Sequence, residues 1–425
     1  MTSNKTNWVA VFTMIFLFGM ISFVTNLAAP IGVIWKQAPG IEGSNVWGMM
    51  GNMMNFLAYL FMGIPAGKLI TKVGYKKTTL IGVAVGFCGV LVQFLSGKIG
   101  VGATLAGLPA NFFVYLLGAF ICGFSVCILN TVVNPMLTLL GGGGNRGNQL
   151  VQIGGTFNSL VGTVTPMLVG ALIGSVTAET QIADVNTVLF IAMGVFALTY
   201  LILTFVPFVE PEQETSDATI KGLLKYKHLV YGVIAIFLYV GVEIGIPGTL
   251  NFYLTDTLGT ANAATTAGFV AGTYWFLMLV GRFVSSLISG KVSSRMQLSV
   301  TCAVAIVLVI AAMFSTEVAA SMPVFTGSGF GMAQVPLSAL LLVCCGLCTS
   351  VMWGTIFNLS VEGLGKNAAL ASGLFMTMVV GGGVLPLVQN AIADAVSYMA
   401  SYWVIVAALA YMLWFALLGS KVKKA

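Results

Sequence analysis

Glu243 is the only one of twelve acidic residues that falls deep inside a long apolar stretch. Glu42, Glu179, Asp184, Asp256, Glu317, Glu362 and Asp394 stand at the ends of such stretches or between them, and Glu210, Glu212, Glu214 and Asp217 share one polar segment. A charge in the middle of a spanning helix costs roughly 2.5–3.5 kcal/mol on insertion scales, so such groups face the protein interior and serve a purpose there. Glu243 is therefore expected to bind a substrate or an ion; the alternative is a structural carboxyl bonded to a helix or to Arg282. Arg282 lies about eight residues, or ~12 Å at 1.5 Å per residue, from the end of its own apolar stretch. Its long side chain can reach an interface from there, and a structural or gating role is expected of it.

The amides come next. Asn130 and Asn134 are four apart and share one helix face; because buried amides need partners, that face must meet another polar helix or a cavity. Asn134 has a further option, a bond to a carbonyl freed by Pro135. Gln152, Asn158 and Asn358 lie in similar settings. Trp275 and Trp353 fall near the middle of apolar stretches, whereas Trp8, Trp35, Trp47 and Trp414 lie near ends, where tryptophans gather in interfacial belts. Small-molecule sites are mostly apolar with a few placed polar groups. An indole face flanked by amides would suit a ligand with an apolar C–H side and a polar rim, and plain packing is the alternative for both tryptophans.

Other chemistries are excluded by spacing. Gly63-Ile64-Pro65-Ala66-Gly67-Lys68-Leu69 has three residues between its glycines where a phosphate loop needs four, and Leu follows the Lys; it reads as a helix end. Cys345 and Cys348 have metal-ligand spacing, but the chain's single histidine, His228, is far away in sequence, so no metal and no cofactor is expected. All seven cysteines lie in apolar runs and read as reduced packing residues. No paired carboxylates, Ser/Lys dyad or HExxH motif points to an enzyme. The longest polar connection, Val209 to Lys227, is too short to be a nucleotide-binding domain, which excludes transport powered by ATP on this chain. The first apolar run, Trp8 to Trp35, is far longer than the apolar core of a cleavable signal.

The elements that position these groups follow from composition. Of 425 residues 58% are apolar and only 7% are charged, with a mean hydropathy of +1.01, against about 25% charged residues in soluble domains. The chain is expected to be an all-α membrane protein, since lipid admits only helices and closed barrels and the ~10-residue alternation of barrel strands is absent. Apolar runs place twelve transmembrane helices at about 8–35, 45–69, 78–96, 110–140, 149–175, 186–208, 228–255, 263–290, 297–316, 335–361, 368–394 and 398–419. Fifteen of the eighteen Lys and Arg residues then fall at the termini or in even-numbered loops; Lys36 and Lys98 lie opposite and Arg282 within a span. By the positive-inside rule both termini are cytoplasmic, and the net charge of +6 is a topology signal, with no nucleic-acid partner expected.

The segment 209–227 divides the spans six and six. Gly67-Lys68 closes span 2 as Gly290-Lys291 closes span 8, Asn134 in span 4 matches Asn358 in span 10, and Pro166 in span 5 matches Pro386 in span 11, at offsets of 223, 224 and 220 residues. These correspondences indicate two pseudo-symmetric six-helix bundles, 1–208 and 228–425, joined by a cytoplasmic linker. Parallel repeats of this kind place a substrate site at the membrane midplane between them. Glycines at four-residue spacing, such as Gly82 with Gly86 and Gly241 with Gly245, are expected to let helices approach closely.

Several stretches together resemble the fucose–galactose–glucose/proton symporter family of the major facilitator superfamily. They are Gly63 to Lys76, with Gly67, Lys68 and Gly74 in the loop after span 2; Leu129-Asn-Thr-Val-Val-Asn134-Pro135; Gln152 with Thr156-Phe157-Asn158-Ser159; Tyr239-Val-Gly241-Val-Glu243; Gly281-Arg282-Phe283; and Gly381-Gly-Gly-Val-Leu-Pro386 with Asp394. The resemblance runs nearly end to end and implies the major facilitator fold and secondary transport of a neutral monosaccharide by alternating access. A proton or a sodium ion would be the coupling partner, in a multi-pass plasma-membrane protein of the bacterial inner-membrane type, working as a monomer. The fucose symporter of that family carries acids just before the span 1 proline and within span 4; here those positions are Asn26 and Asn130, which cannot exchange a proton near neutral pH yet can hydrogen-bond a sugar hydroxyl. The resemblance thus implies a sugar site from Asn26, Asn130, Asn134, Gln152, Asn158, Glu243, Trp275, Trp353 and Asn358, with Glu243 left as the coupling group and Gly67, Lys68, Gly74 and Arg282 as gating or structural positions. An uncoupled sugar facilitator and a non-transporting nutrient sensor of the same fold are the alternatives.

Overall fold

The computed structural model describes residues 7–141, 144–173, 176–177, 179–206, 220–288, 292–325, 329–364 and 368–422. Most of the linker expected at 209–227 therefore lies outside the described residues.

Among the described residues, twelve helices are long and apolar enough to cross a membrane: Trp8–Lys36, Asn45–Ile70, Lys72–Leu95, Ala110–Leu140, Ile153–Ile173, Ile182–Phe205, Lys227–Thr257, Ala263–Ser285, Ser294–Met313, Leu337–Val361, Ala371–Ala395 and Tyr398–Gly419. We number them spans 1 to 12. The expected count holds, with most boundaries moved by only a few residues. Polar side chains mark several starts: Asn7, Ser44, Ser293 and Ser397 each accept a bond from a backbone N–H in the first turn of spans 1, 2, 9 and 12, satisfying donors that the helix itself cannot. Spans 2 and 3 are continuous, Asn45–Leu95, and turn at Gly74, whose φ of 82° and ψ of 169° suit a residue without a Cβ.

The first six spans meet the last six along three seams: span 5 along span 8, span 2 along span 11, and span 1 against span 7. Two of these seams depend on glycine. A Cβ on Gly268 would lie 2.5 Å from the Pro166 carbonyl oxygen, and one on Gly63 of span 2 would lie 2.8 Å from the Thr377 backbone nitrogen of span 11. The expected close approaches are present as well, with Gly86 against Phe196 and Gly241 against Leu385. Asn52 Nδ2 donates to the Gly382 carbonyl across spans 2 and 11 at 2.8 Å, and Thr265 Oγ1 to that of Gly170 across spans 8 and 5 at 2.9 Å.

Two features depart from expectation. Between spans 9 and 10 the chain forms a hairpin of strands Ala319–Phe325 and Phe330–Pro336. Trp35 is no belt residue: it is buried among Phe112 and Tyr115, with ring centroids 4.9 and 5.3 Å away. Below, the odd-loop end of the bundle is the one carrying the loops after spans 1, 3, 5, 7, 9 and 11.

Candidate functional site

Where the seams approach one another there is a narrow cavity of about 20 Å³. The first six spans line it with Thr25, Asn26, Ala29 and Pro30 of span 1, Asn52 of span 2 and Pro166 of span 5; the last six add Ile244, Pro247, Gly248 and Asn251 of span 7 and Ala271 and Trp275 of span 8. None of these residues is charged. Asn26, Asn52 and Asn251 supply amides that can both donate and accept, and Trp275 supplies the apolar face. Asn26 Nδ2 is bonded within its own helix, at 2.9 Å to the Ser22 carbonyl and 3.2 Å to Ser22 Oγ.

One side of this cavity leads along span 7 to the deep charges. Ile244 lines it, and the preceding residue, Glu243, accepts a 2.8 Å hydrogen bond from Tyr239 Oη. Arg282 Nη2 stands 3.7 Å from Glu243 Oε1, and both side chains are largely buried, 15% and 13% exposed. The guanidinium also reaches across to the first six spans, donating from Nη1 to the Gly155 carbonyl at 2.6 Å and to Ser159 Oγ at 2.8 Å. Tyr239 Oη further lies 3.3 Å from the Thr349 carbonyl, and Thr349 Oγ1 is bonded to Tyr274 Oη at 2.9 Å, next to Trp275. A single guanidinium thus ties spans 7 and 8 to span 5, and the Glu243 carboxylate lies beside it.

The odd-loop end is pinned by a second network. Lys36 at the end of span 1 is 1% exposed and donates to Asp256 of span 7 at 2.6 Å and to Tyr398 Oη of span 12 at 3.0 Å. Tyr398 Oη, with one proton to give, lies within hydrogen-bonding distance of both Asp256 Oδ2 and, at 2.7 Å, Asn45 Oδ1. Asp394 of span 11 takes the N-terminus of span 2: its carboxylate accepts from Ser44 Oγ at 2.9 Å and from the backbone N–H groups of Asn45 and Val46 at 2.8 and 3.0 Å, where a negative charge is favoured by the helix dipole. Every one of these contacts joins the first six spans to the last six, except the bond from Tyr398 to Asp256. At that end the two halves of the chain are locked together.

Of the residues expected at the site, Asn26 and Trp275 line the cavity. Glu243, Asn130, Asn134, Asn158, Trp353 and Asn358 are placed elsewhere. Asn130 Nδ2 donates to Tyr59 Oη at 2.7 Å, and Asn134 Nδ2 approaches the Asn130 carbonyl at 3.4 Å, the local option that Pro135 opens. Asn158 Nδ2 donates to the Phe18 carbonyl of span 1 at 2.8 Å. Trp353 meets the ring of Tyr239 edge to face at 6.2 Å, behind Glu243. Asn358 is exposed on span 10 and is not brought to this cavity. Gln152 is in a helix, but its side chain lies outside the described residues. Gly74 forms the turn between spans 2 and 3, and Gly67 has open space where a Cβ would be.

Asn52 and Asn251 were not singled out by the sequence, nor was the Lys36 network. Each lies in a span that is apolar around most of its circumference, so no periodicity marks the face turned to the seam. A signal existed only for Lys36, one of the two basic residues on the sparse side of the charge distribution.

A model of Major Facilitator Superfamily sequences matches residues 11–385. A glucose/galactose transporter of Brucella abortus is 29% identical over 374 residues, covering 86% of this chain and 84% of its own length. A putative glucose/galactose transporter of Helicobacter pylori is 28% identical over 438 residues, covering 99% and 98%. Among solved structures, the fold matches the E. coli fucose:proton symporter with a TM-score of 0.69 at 19% identity, over 98% of this chain and 100% of that one. With twelve spans meeting six against six around a central cavity, and a family match over most of its length, the chain belongs to the Major Facilitator Superfamily.

Proposed function

We propose that this protein is a secondary transporter of a neutral monosaccharide, coupled to a cation through Glu243. The cavity at the seam carries this reading, since its lining is uncharged, with three amides and one indole. A charged substrate would need a counter-charge that no lining residue supplies, whereas a pyranose, admitted when the halves part and the narrow cavity widens, can lay its C–H side on Trp275 and direct its hydroxyls to Asn26, Asn52 and Asn251. The sugar-transporting relatives support the substrate class.

Alternating access follows from the two networks on either side of the cavity. The six-span halves, 1–208 and 228–425, joined by 209–227, rock about the sugar. The Lys36, Asp256 and Asp394 contacts close the odd-loop end, which the charge distribution makes extracytoplasmic. Arg282 bonded to Gly155 and Ser159 restrains the opposite side. Glu243 is the titratable group between them: when it takes up a proton or binds a sodium ion, Arg282 loses its counter-charge and its hold on span 5 is redistributed. The protein sits in the plasma membrane as a monomer with both termini in the cytoplasm.

An uncoupled facilitator is the second reading, favoured by one observation: a carboxylate 3.7 Å from a guanidinium can serve as a permanent structural ion pair. Counterflow of labelled hexoses into proteoliposomes tests the substrate class directly. Saturable exchange of glucose, galactose or fucose, competed by unlabelled sugar, is expected; exchange of none of these or of related neutral monosaccharides would refute the sugar assignment.

A further inference from the structure

We propose that the hairpin between spans 9 and 10, Ala319–Phe325 with Phe330–Pro336, is an interfacial membrane anchor whose outer face lies in the boundary between headgroups and acyl chains.

Register defines two faces. Met322, Val324 and Val335 are buried on the inner one, which packs on spans 8 and 10. Opposite positions on the outer face pair Ser321 with Gln334, Pro323 with Met332 and Phe325 with Phe330. Phe330 is 82% exposed and Met332 is 65% exposed, and no Asp, Glu, Lys or Arg occurs from Val318 to Val361. A hairpin standing in water would leave this apolar surface uncovered.

Its direction says what covers it. The base is fixed at the ends of spans 9 and 10, where Leu337 N–H donates to the Val318 carbonyl at 2.7 Å. The far end does not rise away from the bundle: Phe330 meets Phe269 of span 8 edge to face, with centroids 6.1 Å apart. Phe269 is six residues inside span 8, which begins at Ala263, or ~9 Å below its end at 1.5 Å per residue. The helix of span 8 runs Ala263–Ile288, 26 residues, about 39 Å, and the hydrocarbon core is ~30 Å thick, so its ends clear the bilayer core by only a few ångströms. The hairpin therefore folds back along the flank of span 8 to the level where the core begins. Span 9, which leads into the hairpin, has Val300, Val304 and Val307 exposed, as a spanning helix presents apolar residues to lipid.

Chemistry varies along the hairpin in the matching sense. The polar outer pair, Gln334 Nε2 donating to Ser321 Oγ at 2.7 Å, lies toward the base; the aromatic pair lies toward the far end. Strand edges are not tolerated in the hydrocarbon itself, and Pro323, which has no N–H, removes one edge donor. Boundary depth, roughly 5–10 Å into the headgroup and acyl region, leaves the edges hydrated while Phe330 and Met332 contact chains.

A nitroxide attached through a clickable non-natural amino acid at Met332 or Phe330, in the full chain in lipid nanodiscs, reports the environment without using the native cysteines. Collision with oxygen, which partitions into lipid, is compared with collision with a water-soluble nickel chelate, using Val307 as the lipid reference and Glu42, in the loop after span 1, as the aqueous one. The proposal expects an oxygen-to-nickel ratio at Met332 and Phe330 several-fold above Glu42 and approaching Val307. A ratio equal to that at Glu42 would overturn it. Low collision with both reagents, with spin–spin broadening that grows with the number of chains per disc, would overturn it in favour of a second copy as the occupant.

Discussion

Asn26 and Asn251 face the same cavity from opposite sides of the seam, and each neutral hydrogen bond to a sugar is worth about 0.5–1.5 kcal/mol net. Asn26→Ala and Asn251→Ala should therefore each weaken sugar binding by about twofold to tenfold, measured by equilibrium binding to purified protein. Asn130→Ala removes a bond to Tyr59 and should lower the melting temperature more than the affinity; an affinity loss equal to that of Asn251→Ala would place span 4 in the site. Glu243 calls for a different substitution, because removing one member of a buried ion pair leaves the other uncompensated. Glu243→Gln keeps the bond from Tyr239 and the shape while losing the charge, and Arg282 retains its acceptors on span 5. That variant should exchange sugar at equilibrium in counterflow assays but fail to accumulate it down an imposed ion gradient. Gradient-driven accumulation by the variant would make Glu243 structural.

Among elements, the contacts of spans 1, 2, 7, 11 and 12 at the odd-loop end must break whenever that end opens. Asp256→Lys strands two like charges in the Lys36 network and should favour opening, shifting the balance of states by tenfold or more, ~1.4 kcal/mol. Reaction of a Cys placed at Ala29, a cavity residue, with an impermeant reagent added outside cells should speed up accordingly. The exchange Lys36→Asp with Asp256→Lys should restore slow labelling, and failure to restore it would mean that the pair is not the latch. The span 5 and span 8 seam offers a steric test. A Cβ on Gly272 would lie 2.6 Å from the Thr163 carbonyl oxygen, so Gly272→Ala should cost about 1–3 kcal/mol of packing and slow transport while sugar binding persists; unchanged turnover would show that this contact need not stay close. Much of this layer was legible in the sequence: the span count, the helix start at Ser44 and the role of small residues follow from local composition. The partners of Lys36 did not follow, because Asp256 is 220 residues away and only the docking of two apolar helices brings them together. The hairpin escaped for another reason, in that Ala319 to Pro336 is apolar and glycine-bearing without clean alternation.

At the scale of the whole molecule, the proposed orientation of the twelve spans rests on the charge distribution and is open to a direct test. A Cys at Thr215, in the central linker, should resist impermeant reagents applied to intact cells, while one at Gly43, in the loop after span 1, should react; the reverse pattern would invert the topology. Sequence reading reached Asn26 and Trp275, which line the cavity, and Glu243, one residue before the lining residue Ile244 on span 7. It stopped short of Asn52 and Asn251, since which amide of a span enters the cavity depends on how the helix is rotated in the assembled bundle. The central claim is that sugar crosses this seam together with a cation, and uptake of labelled hexose into proteoliposomes under inward proton and sodium gradients, imposed in turn, tests it most directly. Accumulation above the equilibrium level under one gradient, collapsing when that gradient is dissipated, is the predicted result. Uptake that only ever equilibrates, at the same level with and without either gradient, would contradict coupling and leave the facilitator reading in its place.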